Sequence, residues 1–250
     1  MTVATTTDEL VTTIMISRAE RANALDSATV AELKSAVEAS YATTTPVVVI
    51  TGAGARCFVG GADLRELGGF DAAGAERFIR SLHEALQAVR EHPRPVIAAV
   101  NGHALGAGLE LVLSCDIAIA ADHAEFGMPE VKIGVPSVIE GALMPISLGL
   151  MRTRQLLLTG DKIDAAEAER IGLVNEVVAA ASLDEAVRTM AARLAANAPR
   201  ALTLQKQLMN RWLNLPMDQA IDAGIEAFAA AYETDEPRQT IAEFWRGRGR

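Results

Sequence analysis

Aromatic side chains make up only 4% of the chain, and there are just two cysteines. A core short of rings must be filled by Ala, Val, Ile and Leu, and Ala-rich packing favours helices that approach closely. Cys57 and Cys115 fall in no CxxC or other metal-ligand spacing, and each lies in an apolar stretch where a buried thiol packs well. A reduced, cytoplasmic compartment is the expectation. Basic residues are also in deficit: 23 Lys and Arg against 32 Asp and Glu leave a net charge of −9. That balance opposes a broad footprint for nucleic acid or an anionic membrane, although it leaves room for a local basic pocket that takes one nucleotide. No apolar run reaches membrane-spanning length, and the Thr-rich residues 1–8 carry neither an Arg-rich amphipathic pattern nor an apolar signal core. A soluble, untargeted chain is expected. No low-complexity linker and no sharp repeat divides the sequence, so its 250 residues suit one domain with an appendage.

What is present is an alternation of short β signals and amphipathic helices. Residues 10–16 alternate imperfectly between apolar and Thr, as a half-buried strand does, and Ser27 is placed to cap a helix that carries Val30, Leu33 and Val37 on one face. Residues 46–51 form a short Val/Ile run ended by Gly52-Ala53-Gly54, which predicts a buried strand followed by a Gly-rich loop to Asp63. A helix is predicted over 75–91 from Phe78, Leu82, Leu86 and Val89, stopped by Pro93 and Pro95 ahead of a strand at 96–100. The strand, Gly-rich loop and helix then recur through 102–114. A strand at 117–120, extended chain over 125–133, helix after Pro136, a short helix capped by Asp164 and a last strand at 174–178 follow. Beyond Ser182 nearly everything reads as Ala-rich amphipathic helix: 183–196, 200–213 and 217–232. Such a tail suits packing between subunits and equally suits capping of its own core.

Two Gly-rich segments carry the chemistry. In Cys57-Phe58-Val59-Gly60-Gly61-Ala62-Asp63-Leu64-Arg65-Glu66, small residues let a ligand approach the backbone, and a loop turning into a helix leaves N–H groups free to hold an oxyanion. A plain tight turn accounts for the same glycines. In Asn101-Gly102-His103-Ala104-Leu105-Gly106-Ala107-Gly108-Leu109-Glu110-Leu111, a second such loop opens a helix whose N-terminal end favours developing negative charge. Neither a Lys followed by Ser/Thr nor the dinucleotide spacing is present, which rejects both nucleotide motifs. Glu110 sits in the apolar stretch 105–113, where burial would raise its pKa; the alternative is one solvated position on an apolar helix. Glu130 follows Phe126-Gly127-Met128-Pro129, and Pro129 stiffens the chain that aims it, although taken alone it reads as a surface loop residue. His103, beside a Gly-rich turn, reads as a hydrogen-bonding residue before it reads as a general base. No His/Cys/Asp cluster suggests a metal.

With both segments, both glutamates and their order in view, the chain resembles the crotonase (enoyl-CoA hydratase/isomerase) superfamily over nearly its whole length. Arg21-Ala22-Asn23-Ala24-Leu25 looks like the family's early signature, and Gly60-Gly61-Ala62-Asp63-Leu64 like its first oxyanion segment. Asn101-Gly102 through Glu110, and Phe126-Gly127-Met128-Pro129-Glu130 through Gly134, match the second oxyanion segment and the acidic loop. The resemblance implies an α/β fold, a crotonase-like spiral of repeated β-β-α units over 1–195 with a helical C-terminal region, 196–250, for subunit packing and pocket closure. It implies that the N–H groups of Ala62 and Ala107 hold the thioester oxygen, and that Ala62, Asp63, Leu64, Arg65 and Gly106 contact the acyl-CoA. Glu110 then positions and activates water, and Glu130 supplies the α-proton. Ala107 replaces a commoner Gly, which a backbone donor tolerates.

Keeping both carboxylates favours hydration of a 2-enoyl-CoA with no organic cofactor or metal, coenzyme A being part of the substrate, in a homotrimer or homohexamer. Isomerisation, decarboxylation or C–C hydrolysis through the same enolate is the nearest rival. An RNA-binding or non-catalytic relative is the rival from another class, and the net negative charge opposes it. The stretch Val135-Pro136-Ser137-Val138-Ile139-Glu140-Gly141 departs from the usual Gly-rich pattern and adds a third carboxylate. Glu140 is read first as a helix-surface residue and second as an acid or base in the acyl pocket.

Overall fold

The computed structural model describes residues 1–248. Along the chain run β1 (Val3–Thr7), β2 (Val11–Ile16), α1 (Ser27–Ser40), β3 (Val47–Gly52), β4 (Cys57–Val59), α2 (Leu64–Leu67), α3 (Ala72–Arg90), β5 (Val96–Val100), β6 (His103–Leu105), α4 (Ala107–Ser114), β7 (Ile117–Ala121) and β8 (Glu125–Gly127). Then come α5 (Met144–Leu148), α6 (Leu150–Thr159), β9 (Lys162–Asp164), α7 (Ala165–Arg170), β10 (Glu176–Val178), α8 (Leu183–Ala195), α9 (Pro199–Trp212), α10 (Met217–Ala231) and α11 (Glu236–Arg248).

The Val/Ile runs become the inner strands of a six-stranded sheet of order β1-β2-β3-β5-β7-β10, parallel except for the β1-β2 hairpin. Strands buried on both faces need continuous apolar sequence, and all five residues of β5 are buried. A second sheet, β4-β6-β8-β9, is built from three-residue strands, with only β9 antiparallel. The pairs β3/β4, β5/β6 and β7/β8 each give one strand to each sheet, so the chain winds as a spiral in which every turn lies beside the last.

The larger core lies between the sheets and α1, α3 and α4. It is filled by Ile14, Ile50, Leu33, Leu82, Leu86, Leu109 and Phe126, each worth about 1.5–3 kcal/mol when fully buried. The opposite face of the large sheet is covered by α8 through Leu183, Val187 and Ala191, which pack on Val49, Ile97 and Ile119.

Several expectations shift by physical causes. Asp26, not Ser27, caps α1: the Asp26 carboxylate accepts the Thr29 N–H at 2.8 Å, while the Ser27 hydroxyl donates to Glu66 at 2.6 Å. Helix α3 starts three residues earlier than its apolar spacing predicts, because Asp71 accepts the Gly74 N–H and adds a first turn. Extended chain over 125–133 holds only for β8, since Pro129 then opens a 3₁₀ turn, Pro129–Ile133. Pro136 opens no helix; residues 135–138 are irregular, and a 3₁₀ turn, Ile139–Leu143, leads into α5. The last strand keeps only Glu176–Val178 of the predicted 174–178. Among the described residues, no helix is long and apolar enough to cross a membrane.

Candidate active site

Local sequence first fixes two loops against each other. Asn23 is fully buried in the left-handed region at φ 54 and donates its side-chain amide to Ala53 O at 2.9 Å and Cys57 O at 2.8 Å, while its own oxygen accepts the Arg18 N–H. This knot explains why the early Asn-Ala-Leu signature exists: it anchors the loop on both sides of β4. Two residues on, Leu25 donates its N–H to Gly61 O and accepts from the Asp63 N–H. In such a parallel bridge the intervening residue, Ala62, turns its own N–H to the other edge.

That edge faces the second Gly-rich loop. Gly61 has φ 110, and a Cβ on it would stand 3.2 Å from Leu105 O. Gly106 has φ 54, and a Cβ there would lie 2.3 Å from the Glu130 Oε1 and 3.9 Å from the Gly61 Cα. Only glycine lets the two loops and the Glu130 carboxylate crowd together in this way. Ala107 follows as the first residue of α4, where N–H groups lack partners within the helix, and no side chain caps this end. Gly108 lets α4 sit against β4, because a Cβ there would overlap Val59 O.

The carboxylates cluster on this frame. Glu110, on α4, is 4% exposed, and its Oε1 accepts the Gly141 N–H at 3.1 Å. Burial pushes its pKa up to about 8; the neighbouring charges of Glu130 and Glu140 add to the rise, and the Gly141 N–H opposes it. Glu130 is half-buried and accepts the Ser137 hydroxyl on Oε2 at 2.7 Å. Glu140 is not a surface residue. It is 3% exposed because the turn at 139–141 tucks it against α3, where its Oε1 pairs with His83 Nδ1 at 2.9 Å. Burial raises its pKa as well, against the charges of His83 and Arg90.

The remaining candidates divide. The Asp63 side chain is engaged in the framework: it pairs with Arg18 at 3.1 Å and accepts the Arg65 N–H at the head of α2. Leu64 and Arg65 are exposed. Arg65 lines an open groove of about 540 Å³ together with Arg18, Arg21, Asp26, Ser27 and Asp63. Three guanidinium groups at one mouth make this a local basic feature in an acidic chain. His103 serves the framework, its Nδ1 accepting the Glu125 N–H at 3.2 Å. Both cysteines are free, and burial raises both thiols, which keeps them protonated and unreactive. Gly141, Ser137 and His83 are absent from the sequence-based candidates. The first two lie in the stretch that departs from the family pattern, and nothing in the spacing of His83 on its helix sets it apart.

With this geometry in place, the chain can be compared with known proteins. The enoyl-CoA hydratase/isomerase family model matches residues 6–248. The short-chain-enoyl-CoA hydratase of Clostridium acetobutylicum is 36% identical over 236 residues, covering 94% of this chain and 90% of that protein. The crotonyl-CoA hydratase of Syntrophomonas wolfei is 35% identical over 239 residues, covering 95% and 92%. The solved structure of an enoyl-CoA hydratase from Bacillus anthracis superposes with a TM-score of 0.94 at 30% identity over 99% of this chain and 97% of that one. The two Gly-rich loops, the acidic loop and the spiral that carries them place this chain in the enoyl-CoA hydratase/isomerase family.

Proposed function

We propose that this chain is an enoyl-CoA hydratase that adds water across the double bond of a 2-enoyl-CoA. The observation that carries the reading is the convergence of two carboxylates on two Gly-rich loops: Glu130 Oε1 against Gly106, and Glu110 Oε1 on the Gly141 N–H. The amides of Ala62 and Ala107 receive the thioester oxygen as it gains charge in the enolate, a role in which each lost donor typically costs about 10²–10³ in rate. Glu110 orients the attacking water and takes its proton, and Glu130 delivers a proton to the α-carbon. Water adds at the β-carbon, the enolate collapses through protonation at the α-carbon, and no electrons leave the substrate, so neither an organic cofactor nor a metal is called for. The basic groove of Arg18, Arg21 and Arg65 suits the phosphates of the coenzyme A moiety. The active form is a cytoplasmic homotrimer or homohexamer.

The test is hydration of crotonyl-CoA by the wild-type chain and by Glu110→Gln and Glu130→Gln. Both variants should lose activity by about 10²-fold or more, as expected when a positioned acid or base is removed. Full hydration by both would overturn the assignment. A panel of 3-enoyl and β-keto thioesters, assayed alongside, separates hydration from isomerisation, decarboxylation or C–C hydrolysis. The buried third carboxylate, Glu140, is the observation that keeps such a second reaction on the panel.

A further inference from the structure

The stretch 135–141 does not follow the pattern of the rest of the site, and its geometry is specific. Ile139 has φ 38, a left-handed conformation that a β-branched residue adopts only when its surroundings compel it. The two residues after it point to two different partners. Glu140 turns to α3 and meets His83 Nδ1 at 2.9 Å, while the Gly141 N–H turns to α4 and meets Glu110 Oε1 at 3.1 Å. Gly141 is itself closely fitted, since a Cβ on it would stand 3.4 Å from the same Glu110 oxygen and 3.7 Å from the Met128 methyl. The strained turn is therefore held between two helices by one hydrogen bond on each side.

Resting on the hydratase reading above, we propose that Glu140, clamped by His83, is a positioning residue for Glu110: the His83–Glu140 pair holds the strained 139–141 turn so that the Gly141 N–H stays on the Glu110 carboxylate. The same contact makes Glu140 an electrostatic neighbour. Its Oε2 is buried and takes no hydrogen bond within the chain, so the negative charge is compensated on one oxygen only. The charged groups acting on Glu110 are Glu130 from the 3₁₀ turn Pro129–Ile133 and Glu140 from the turn Ile139–Leu143. Those acting on Glu140 are His83 and Arg90, both on α3. His83 keeps 40% of its side chain exposed, so it reaches solvent from a pair whose other half does not.

Two substitutions at one position separate geometry from charge. Gln keeps a partner for His83 and removes the charge; Ala removes both. Glu140→Gln should retain kcat on crotonyl-CoA within a few-fold, and the pH at which Glu110 titrates should move lower, because a repelling charge has gone. That titration is read by ¹³C NMR of labelled glutamate carboxyls and assigned by its absence from Glu110→Gln. Glu140→Ala and His83→Ala should lower kcat by roughly 10- to 100-fold with KM little changed, as a displaced catalytic group does. His83→Ala, on a half-exposed position, guards against failure of the Glu140→Ala chain to fold. An unmoved Glu110 titration in Glu140→Gln, or kcat at the wild-type level in His83→Ala, would overturn the proposal. The NMR titration needs no turnover, and Glu110→Gln reports separately on the hydratase reading, so the two failures are distinguishable.

Discussion

Glu110 behaves as a residue whose ionisation the fold resists. Its folded pKa of about 8 lies above the model value of 4.5, so between those two pH values the native state holds a proton that the unfolded chain has released. Stability contributed at this position is therefore greatest below about 4.5 and falls as pH rises to about 8. Glu110→Gln keeps an acceptor for the Gly141 N–H and has no charge to bury. The variant should melt progressively higher than wild type as the buffer is taken from pH 5 to pH 8, a divergence readable by thermal denaturation at several pH values; parallel melting curves across that range would refute it. The burial behind this was legible in sequence, because one carboxylate among Leu105, Leu109, Leu111 and Leu113 has little choice of surroundings. The burial of Glu140 was not. Its concealment comes from a backbone turn at Ile139 with φ 38 and from a helix 57 residues earlier, and neither leaves a local pattern.

At the scale of elements, the long strands and helices followed from periodicity, because β3, β5, α1 and α3 each bury a continuous run or a stripe. The second sheet did not. Strands of three residues such as β4, β6 and β9 lie inside stretches whose glycines signal loop, and they exist only because neighbouring turns of the spiral supply their partners. The attachment of the C-terminal helices shows a similar dependence on distant partners. Lys206, on α9, is 4% exposed and donates to Asp116 Oδ2 at 2.6 Å and to Arg94 O at 3.2 Å, and Asp116 Oδ2 also receives the Val96 N–H at 2.7 Å. Burial pushes the Asp116 carboxyl up, and the Lys206 ammonium opposes it. Removing one partner leaves the other buried and uncompensated, so Lys206→Met should cost about 3–5 kcal/mol in urea denaturation. Replacing both, as Lys206→Met with Asp116→Asn, should recover part of that loss.

On the whole molecule, the most conspicuous surface is the C-terminal one. Ile221, Ile225 and Phe228 of α10, Tyr232 just beyond it, and Ile241 and Trp245 of α11 are all exposed in the single chain, which is more apolar side chain than a monomer normally leaves in water. Composition pointed to this tail as packing surface without saying whether a subunit or its own core would be packed. The exposure favours a subunit. Phe228→Glu should shift the protein from an oligomer to a monomer in sedimentation while leaving the monomer folded; a wild-type chain that sediments as a monomer would refute the assembly.

The spiral has one more consequence. Its inner sheet is threaded in phase with the outer one, Cys57 opposite His103 and Ala104 opposite Phe126, through strands too short to absorb an error. A long strand can lose a residue at its end and keep its pairing; a strand of three cannot. Deleting a single residue anywhere between the knot at Asn23 and the turn at Gly141 therefore acts like slipping a tooth on a gear: the scaffold still turns, but the amides and carboxylates no longer arrive at the same place.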